Sequence, residues 1–232
     1  MARLNKGSEQ KISCIIPAYN EAERISGVLS VIADHPLIDE TIVVNDASTD
    51  KTWEVIKRFK GIKAINIKSN VGKSRTIYRG IKEAKHDLLM LIDADLVGLT
   101  KDDITRLINP ILKKEADISI SLRGNAPILW RIIGLDFITG ERFFKRNLIT
   151  DYEELLKLPG FGLEAFINRQ VMSKRSRIKV VRWPGVQSPF PQSKIGIIKG
   201  SLGFVRMISQ VMKTTGLIGA IRQIRALRSL RV

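Results

Sequence analysis

The sequence predicts an α/β fold: a doubly wound, mostly parallel sheet with helices on both faces, and a basic helical extension at the C-terminus. Three observations carry this reading. Short apolar runs alternate with helix-periodic segments three times before a fourth apolar run, and right-handed crossovers turn such a series into a parallel sheet. The fourth run, Leu88 to Ile92, is continuously apolar, as expected of a strand covered on both faces. Polar clusters follow each run, which gathers them on the sheet edge where open α/β folds bind ligands.

Lys11 to Ile16 reads as the first strand, stopped by Pro17. Asn20-Glu21-Ala22-Glu23 reads as a cap with acids in the first turn of a helix whose apolar face is Ile25, Val28, Leu29 and Ile32. Glu40 to Val44 is a second strand, followed by a helix through Trp53, Val55, Ile56 and Phe59, and Ile62 to Ile67 is a third. The loop 68–72 leads into a helix bearing Ile77, Ile81 and Ala84. After the central strand, Thr100-Lys-Asp-Asp103 starts a helix through Leu107, Ile108, Ile111 and Leu112 in the manner of a capping box. Asp117 to Leu122 alternates like a half-exposed strand, and Ile128 to Leu148 reads as one or two amphipathic helices. Gly160-Phe-Gly162 precedes a helix containing Glu164, Ile178 to Trp183 is a strand ended by Pro184, and the chain from Ser193 is basic, apolar and helical in character.

The length of 232 residues suits one large domain with an appendage. Hydrophobic residues at 44% and charged residues at 27% are ordinary for a globular chain. The single Cys14 excludes an internal disulfide and points to a reducing, cytoplasmic setting. The first ten residues lack the apolar stretch of a signal peptide, and no apolar run is long enough to span a bilayer. The net charge of +16 is uneven, because residues 165–232 hold 14 Lys or Arg and no acid, which leaves 25 basic against 23 acidic residues before them. A cationic final third implies a polyanionic partner. It lacks regularly spaced aromatic platforms for bases, which favours an anionic membrane surface over nucleic acid.

Asp93 and Asp95 stand one residue apart at the end of the central strand. Two such carboxylates repel unless a cation or strong donors neutralise them, and a hard divalent ion sharing its shell with substrate phosphates does this. Gly72-Lys73-Ser74 is not a phosphate-binding P-loop, which requires glycine where Ile67 stands, but Lys73 opens a helix whose free N–H groups favour anions.

Four pieces coincide in order: Pro17-Ala-Tyr19-Asn20-Glu21, Asn45-Asp46-Ala-Ser48-Thr-Asp50, Asn70-Val-Gly72-Lys73 and Asp93-Ala94-Asp95. Over about residues 11–122 the chain thereby resembles the family 2 glycosyltransferases of the GT-A fold. The resemblance implies that Pro17, Tyr19, Glu21, Asn45 and Asp46 surround the nucleoside of a UDP- or GDP-linked sugar. Asp93 and Asp95 would hold Mg2+ or Mn2+ against its diphosphate, with Ala94 also at the substrate. Tyr19 offers an aromatic wall for a base, and Lys73 with the metal would stabilise the leaving diphosphate.

The second half resembles the dolichyl- or polyprenyl-phosphate sugar synthases through Ser121-Leu-Arg123, Trp130-Arg131, Gly160-Phe-Gly-Leu-Glu164 and Ser193-Lys194. By that resemblance Arg123, Arg131 and Lys194 would hold an acceptor phosphate, and Asp136-Phe-Ile-Thr-Gly140-Glu-Arg142 is similar to an acceptor-side segment. Val97 departs from the branch, which often has Gln there. The chain thus divides into a nucleotide-sugar half (1–122), an acceptor-side half (123–192) and a basic amphipathic segment (193–232), which reads either as lying in a membrane interface, with its cleanest face from about Leu217 to Ile224, or as a helix packed on the catalytic body with its arginines in water. An ionised phosphate acceptor needs no general base; a hydroxyl acceptor would need a carboxylate, for which Glu164 and Asp151 are candidates. The expected activity is therefore inverting sugar transfer to a membrane-associated acceptor, a lipid phosphate. The alternatives are a soluble transferase for a small phosphorylated or hydroxylated acceptor, and a non-catalytic nucleic-acid-binding protein, against which Asp46, Asp93 and Asp95 speak.

Overall fold

The computed structural model describes residues 10–158, 162–189, 219 and 222–232. Seven strands among them form one sheet in the order β3-β2-β1-β4-β6-β5-β7. The strands are β1 (Ile12–Ala18), β2 (Glu40–Asp46), β3 (Lys63–Ile67), β4 (Leu88–Leu91), β5 (Ile118–Arg123), β6 (Arg142–Lys145) and β7 (Ile178–Trp183). The first four run parallel, β6 runs antiparallel between β4 and β5, and β7 runs parallel to β5. Helices α1 (Ile25–Ile32), α2 (Thr52–Ile56) and α4 (Lys101–Leu112) pack with one apolar cluster, and α3 (Lys73–Glu83) and α7 (Leu163–Ser173) with the other. The doubly wound architecture expected from the strand-helix alternation is thus present, as is the capping box, in which Thr100 and Asp103 bond each other's backbone N–H.

Several expectations need correction. Pro17 does not stop β1, which stays paired with β2 through Ala18. Ile15 turns its carbonyl toward β4, where it accepts from Ile92 N at 3.1 Å. Pro17 faces the same way two residues on, beyond the last paired residue of β4, so its missing N–H costs no ladder bond. Asn20 does not cap α1, and α1 has no acid in its first turn. Asn20 Oδ1 accepts instead from Thr49 N (2.8 Å), which ties the loop after β1 to the loop after β2.

The segment 128–148 is not mainly helical. After the short α5 (Ile128–Ile133) the chain turns at Gly134 and returns as β6, whose Arg142, Phe143 and Phe144 are wholly buried. Nor is β5 half-exposed. It lies between β6 and β7, and its polar Ser121 is buried because Oγ donates to Glu141 Oε2 at 2.6 Å.

At the other end of the chain, residues 222–229 form a helix that docks on the body. Leu227 is fully buried, Ile224 and Leu230 pack beside it, and Ile178 N donates to Leu230 O at 2.8 Å. Arg222, Arg225 and Arg228 remain exposed on the outer side. This stretch is therefore part of the core as well as a basic surface, and deleting it would cost stability along with charge. Most of the expected membrane-lying segment, residues 193–218, lies outside the described residues.

Candidate active site

The carboxyl ends of β1, β2 and β4 bring the nominated residues to one edge. Asn45 and Asp46 are the last residues of β2 and are buried. Their side chains are engaged within the protein. Asp46 Oδ1 and Oδ2 accept from Val71 N (2.8 Å) and Gly72 N (2.9 Å), while Asn45 Nδ2 donates to Asn66 Oδ1 (2.7 Å). Asp46 therefore fixes the loop that presents Lys73. Gly72 adopts φ 85°, a left-handed conformation suited to glycine, and its carbonyl accepts from Thr76 N in the first turn of α3. Tyr19 stands exposed at the rim, Pro17 lies within β1, Ala94 is buried, and Glu21 is mostly buried with its N–H donating to Thr52 Oγ1 (2.8 Å).

Lys73 forms the centre of an ion triad: Nζ lies 2.8 Å from Asp93 Oδ1 and 3.0 Å from Glu164 Oε1. Burial works to strip the proton from this lysine, but the two carboxylates outweigh it and raise its pKa above the usual lysine value. Glu164, buried at the start of α7, is thus an ion-pair partner of Lys73. Asp151 is exposed and accepts from Glu154 N (3.0 Å) at the start of a short helix (Glu154–Lys157), so its carboxylate is engaged with that backbone.

Asp95 accepts from Ser188 Oγ at 3.1 Å, a contact absent from the sequence expectations. The loop carrying Ser188 is pinned by Val97–Gln187 backbone bonds and by Asn125, whose Nδ2 donates to Ser188 O (2.7 Å). Among the described residues, no group of three or more His, Cys, Asp or Glu forms a metal cage. A pair of carboxylates does fit a hard ion that completes its shell with phosphate oxygens and water, so Asp93 and Asp95 could hold Mg2+ or Mn2+ in that way.

A second unforeseen feature is the backing of Asp93. β4 and β6 pair Leu91 with Arg142, and continuing that register two residues sets Gly140 opposite Asp93. A Cβ at Gly140 would lie 2.5 and 2.6 Å from the Asp93 carboxylate oxygens and 2.7 Å from Lys73 Nζ. Arg142 holds this turn from beneath by donating to Thr139 O (3.0 Å), Phe137 O (2.9 Å) and Asn168 Oδ1 (2.7 Å). Gly140→Ala should therefore displace the ends of two flexible side chains while sparing the fold. The expected result is a melting temperature within a few degrees of wild type and nucleotide-sugar affinity reduced at least about tenfold, for the loss of one charge-assisted contact. Unchanged affinity would mean that Asp93 and Lys73 do not touch the donor.

Arg123, at the end of β5, faces Asp136 (3.5 Å) and Glu141 (3.6 Å). Burial opposes its charge, but Glu141 and Asp136, followed by Asp93 and Asp95, outweigh it and raise its pKa. Burial raises the pKa of Asp136 and Glu141 in turn. Beside Arg123 opens a cleft of about 620 Å³ whose walls include Arg131 of α5 and Arg182 of β7. Lys194 lies outside the described residues.

The model of glycosyl transferase family 2 matches residues 13–183, which takes in all seven strands but the first residue of β1. The chain belongs to that family. Within it, the chain is 38% identical over 118 residues to the dolichol-phosphate mannosyltransferase of Pyrococcus furiosus, which covers 49% of this chain and 33% of that protein. It is 36% identical over 90 residues to the poly-beta-1,6-N-acetyl-D-glucosamine synthase of Staphylococcus epidermidis, covering 37% of this chain and 22% of that one. The family 2 chain therefore spans a third or less of these curated relatives. Its fold is that of the glucosyl-3-phosphoglycerate synthase of Mycobacterium tuberculosis, solved with Mn2+, UDP and glucosyl-3-phosphoglycerate, with a TM-score of 0.70 at 21% identity over 89% of this chain and 80% of that one.

Proposed function

We propose that this family 2 chain is an inverting, metal-dependent glycosyltransferase that moves a sugar from a UDP- or GDP-linked donor to a lipid phosphate at an anionic membrane surface. The observation that carries the reading is the position of Arg123, which lines the arginine-rich cleft and pairs with Glu141 (3.6 Å), the neighbour of the Gly140 that backs Asp93. A donor diphosphate at the acids and an acceptor phosphate in the cleft would then meet across one residue. A metal held by Asp93 and Asp95 would supply Lewis-acid stabilisation of the departing diphosphate. Lys73 adds a fixed positive charge beside it, and the cleft arginines orient the acceptor. In the transfer itself an acceptor oxygen forms a bond to the anomeric carbon as the bond to the diphosphate breaks, and the nucleoside diphosphate leaves with the electron pair. A phosphate oxygen is already ionised at neutral pH, which agrees with Glu164 being paired to Lys73 rather than standing free as a base.

The Pyrococcus furiosus relative supports the lipid-phosphate acceptor. A small soluble acceptor is the second reading, favoured by the Mycobacterium tuberculosis fold neighbour, which was also solved with phosphoglyceric acid. Both readings share the donor site, and a thermal-shift panel of UDP- and GDP-sugars with and without Mn2+ or Mg2+ tests it. A matching donor at about 100 times its Kd should add about 2.7 kcal/mol of stability. No shift with any nucleotide-sugar in either metal would overturn the proposal. Transfer to a polyprenyl phosphate rather than to phosphoglyceric acid then separates the acceptors.

For the membrane, no helix among the described residues is long and apolar enough to cross a bilayer. Exposed Arg222, Arg225 and Arg228 would each contribute on the order of 1 kcal/mol near anionic lipid. The triple Gln variant should retain its melting temperature but lose about 3 kcal/mol of affinity for anionic vesicles at low salt, as cosedimentation would show. Equal binding by both proteins, or equal binding to neutral vesicles, would rule out this face.

A further inference from the structure

Resting on the metal reading above, we propose that the Ser188 hydroxyl is a third protein ligand of the divalent ion at Asp93 and Asp95. Ser188 lies beyond the end of β7, 93 residues from Asp95 in the chain, yet its Oγ donates to Asp95 Oδ2 at 3.1 Å. A hydroxyl has one proton to give and two lone pairs. It can therefore hold the Asp95 carboxylate and still offer a lone pair to an ion bound there. Hydroxyl oxygen is a hard donor, the kind that Mg2+ and Mn2+ prefer, and serine or threonine hydroxyls hold Mg2+ in the nucleotide-binding loops of other folds. It is also neutral. Asp93, Asp95 and a diphosphate together bring more negative charge than a divalent ion cancels, so a further carboxylate would add repulsion where a hydroxyl does not.

The backbone around Ser188 is held by neighbours on two loops. Val97, two residues after Asp95, exchanges both backbone bonds with Gln187, at 2.8 and 2.9 Å. Val97 stands where the branch resembled in sequence often has Gln, and with no polar side chain to give it contributes through its backbone. Gly124 N donates to Val186 O at 3.0 Å. The Asn125 amide takes both sides of Ser188, donating to its carbonyl (2.7 Å) and accepting from its N–H (3.2 Å). Two glycines make this close approach possible. A Cβ at Gly98 would lie 2.4 Å from Gly185 O, and one at Gly124 would lie 2.1 Å from Pro184 O, both backbone atoms. Residues 184–188 are thus fastened to the loops after β4 and β5, and the side chain at 188 is aimed at Asp95 in advance of any ion. A ligand fixed beforehand loses little conformational freedom when the ion binds.

The test is metal binding itself, without turnover. Mn2+ is titrated into the full chain alone, with UDP and with GDP, and the bound ion is read from the enhancement of water-proton relaxation. Ser188→Ala should weaken Mn2+ about tenfold to a hundredfold, the loss typical of a group that orders a metal site, while Ser188→Thr, which keeps the hydroxyl, should stay near wild type. Ser188→Cys separates a ligand from a residue that only steadies Asp95. A thiolate is soft, so this variant should lose Mn2+ affinity, bind Cd2+ more tightly than wild type does, and show the ultraviolet absorption band of a thiolate bound to Cd2+. Wild type should show no such band, because Cys14 is wholly buried and burial pushes its thiol pKa up. Ser188 is only part-buried, so each variant is expected to melt within a few degrees of wild type. Wild-type Mn2+ affinity in Ser188→Ala, or Ser188→Cys without the Cd2+ band, would overturn the ligand role and leave Asp93 and Asp95 as the metal site. A wild-type chain that binds Mn2+ under none of the three conditions would overturn the metal reading, and Ser188 with it.

Discussion

Asp95→Asn and Asp93→Asn are each expected to lower sugar transfer on the order of a hundredfold to a thousandfold, the loss typical of removing one preorganised group from a site of developing charge. The fold should survive both changes. Lys73 keeps Glu164 as a partner when Asp93 is neutralised, and in Asp95→Asn the new amide oxygen can still accept from Ser188. The two variants should nonetheless differ. Asp93 pairs with Lys73, so its replacement is expected to weaken nucleotide-sugar binding even with the metal omitted. Asp95 accepts from the neutral Ser188 hydroxyl, so its replacement should act chiefly by raising the Mn2+ or Mg2+ concentration needed for half-maximal rate. Initial rates across a metal titration, with a chelator control, separate these effects. A wild-type rate in either variant, or a rate untouched by the chelator, would exclude the metal role.

Lys73→Met carries the second large effect, because it leaves two carboxylates facing each other without their common cation. Removing one partner of a buried ion pair costs about 3–5 kcal/mol, and since Lys73 and Asp93 retain some exposure the cost here should be nearer ~2 kcal/mol. Adding Glu164→Gln should restore much of this stability, because it removes one of the two like charges that Lys73 held together. It should not restore transfer if Lys73 stands beside the donor diphosphate as proposed, because that positive charge is still missing. Chemical denaturation and initial rates on the four proteins of this double-mutant cycle check both statements. Activity recovered in the double variant would mean that Lys73 only neutralises its neighbours.

The pH dependence follows from the sign of the lysine shift. Its pKa is raised in the folded protein, so its stabilising contribution is complete below the unfolded value of about 10.4 and is lost only as pH rises through the higher folded value. The stability difference between wild type and Lys73→Met should therefore be flat from about pH 6 to 9 and shrink at more alkaline pH.

Much of this molecule is written in short-range pattern. Apolar runs such as Leu88 to Ile92, helix faces such as Leu107, Ile108 and Ile111, and the Thr100–Asp103 cap depend on neighbours within a few residues, so they can be read directly. The crossover rule then places the polar clusters after β1, β2, β3 and β4 on one edge, which is why the acids, Lys73 and the residues around Tyr19 could be nominated together. What the chain order could not reveal is which of these groups are spent on each other. Asp46 holds the backbone at Val71 and Gly72, Glu164 holds Lys73, and Ser188 holds Asp95, all through contacts between residues far apart in the chain.

The same applies to β6. Four residues beginning Arg142-Phe143-Phe144 are too few to show a period of two, and only pairing with β4 on one side and β5 on the other makes them a strand. That pairing brings Gly140 against Asp93 and buries Arg142 beneath the turn. The arginine cleft depends on it too, because Arg123, Arg131 and Arg182 lie on three elements that come together only once β5, α5 and β7 have packed. Local periodicity reports which face of an element seeks the core. The partner that a buried charge finds there is set by register between distant strands, and no sequence period encodes it.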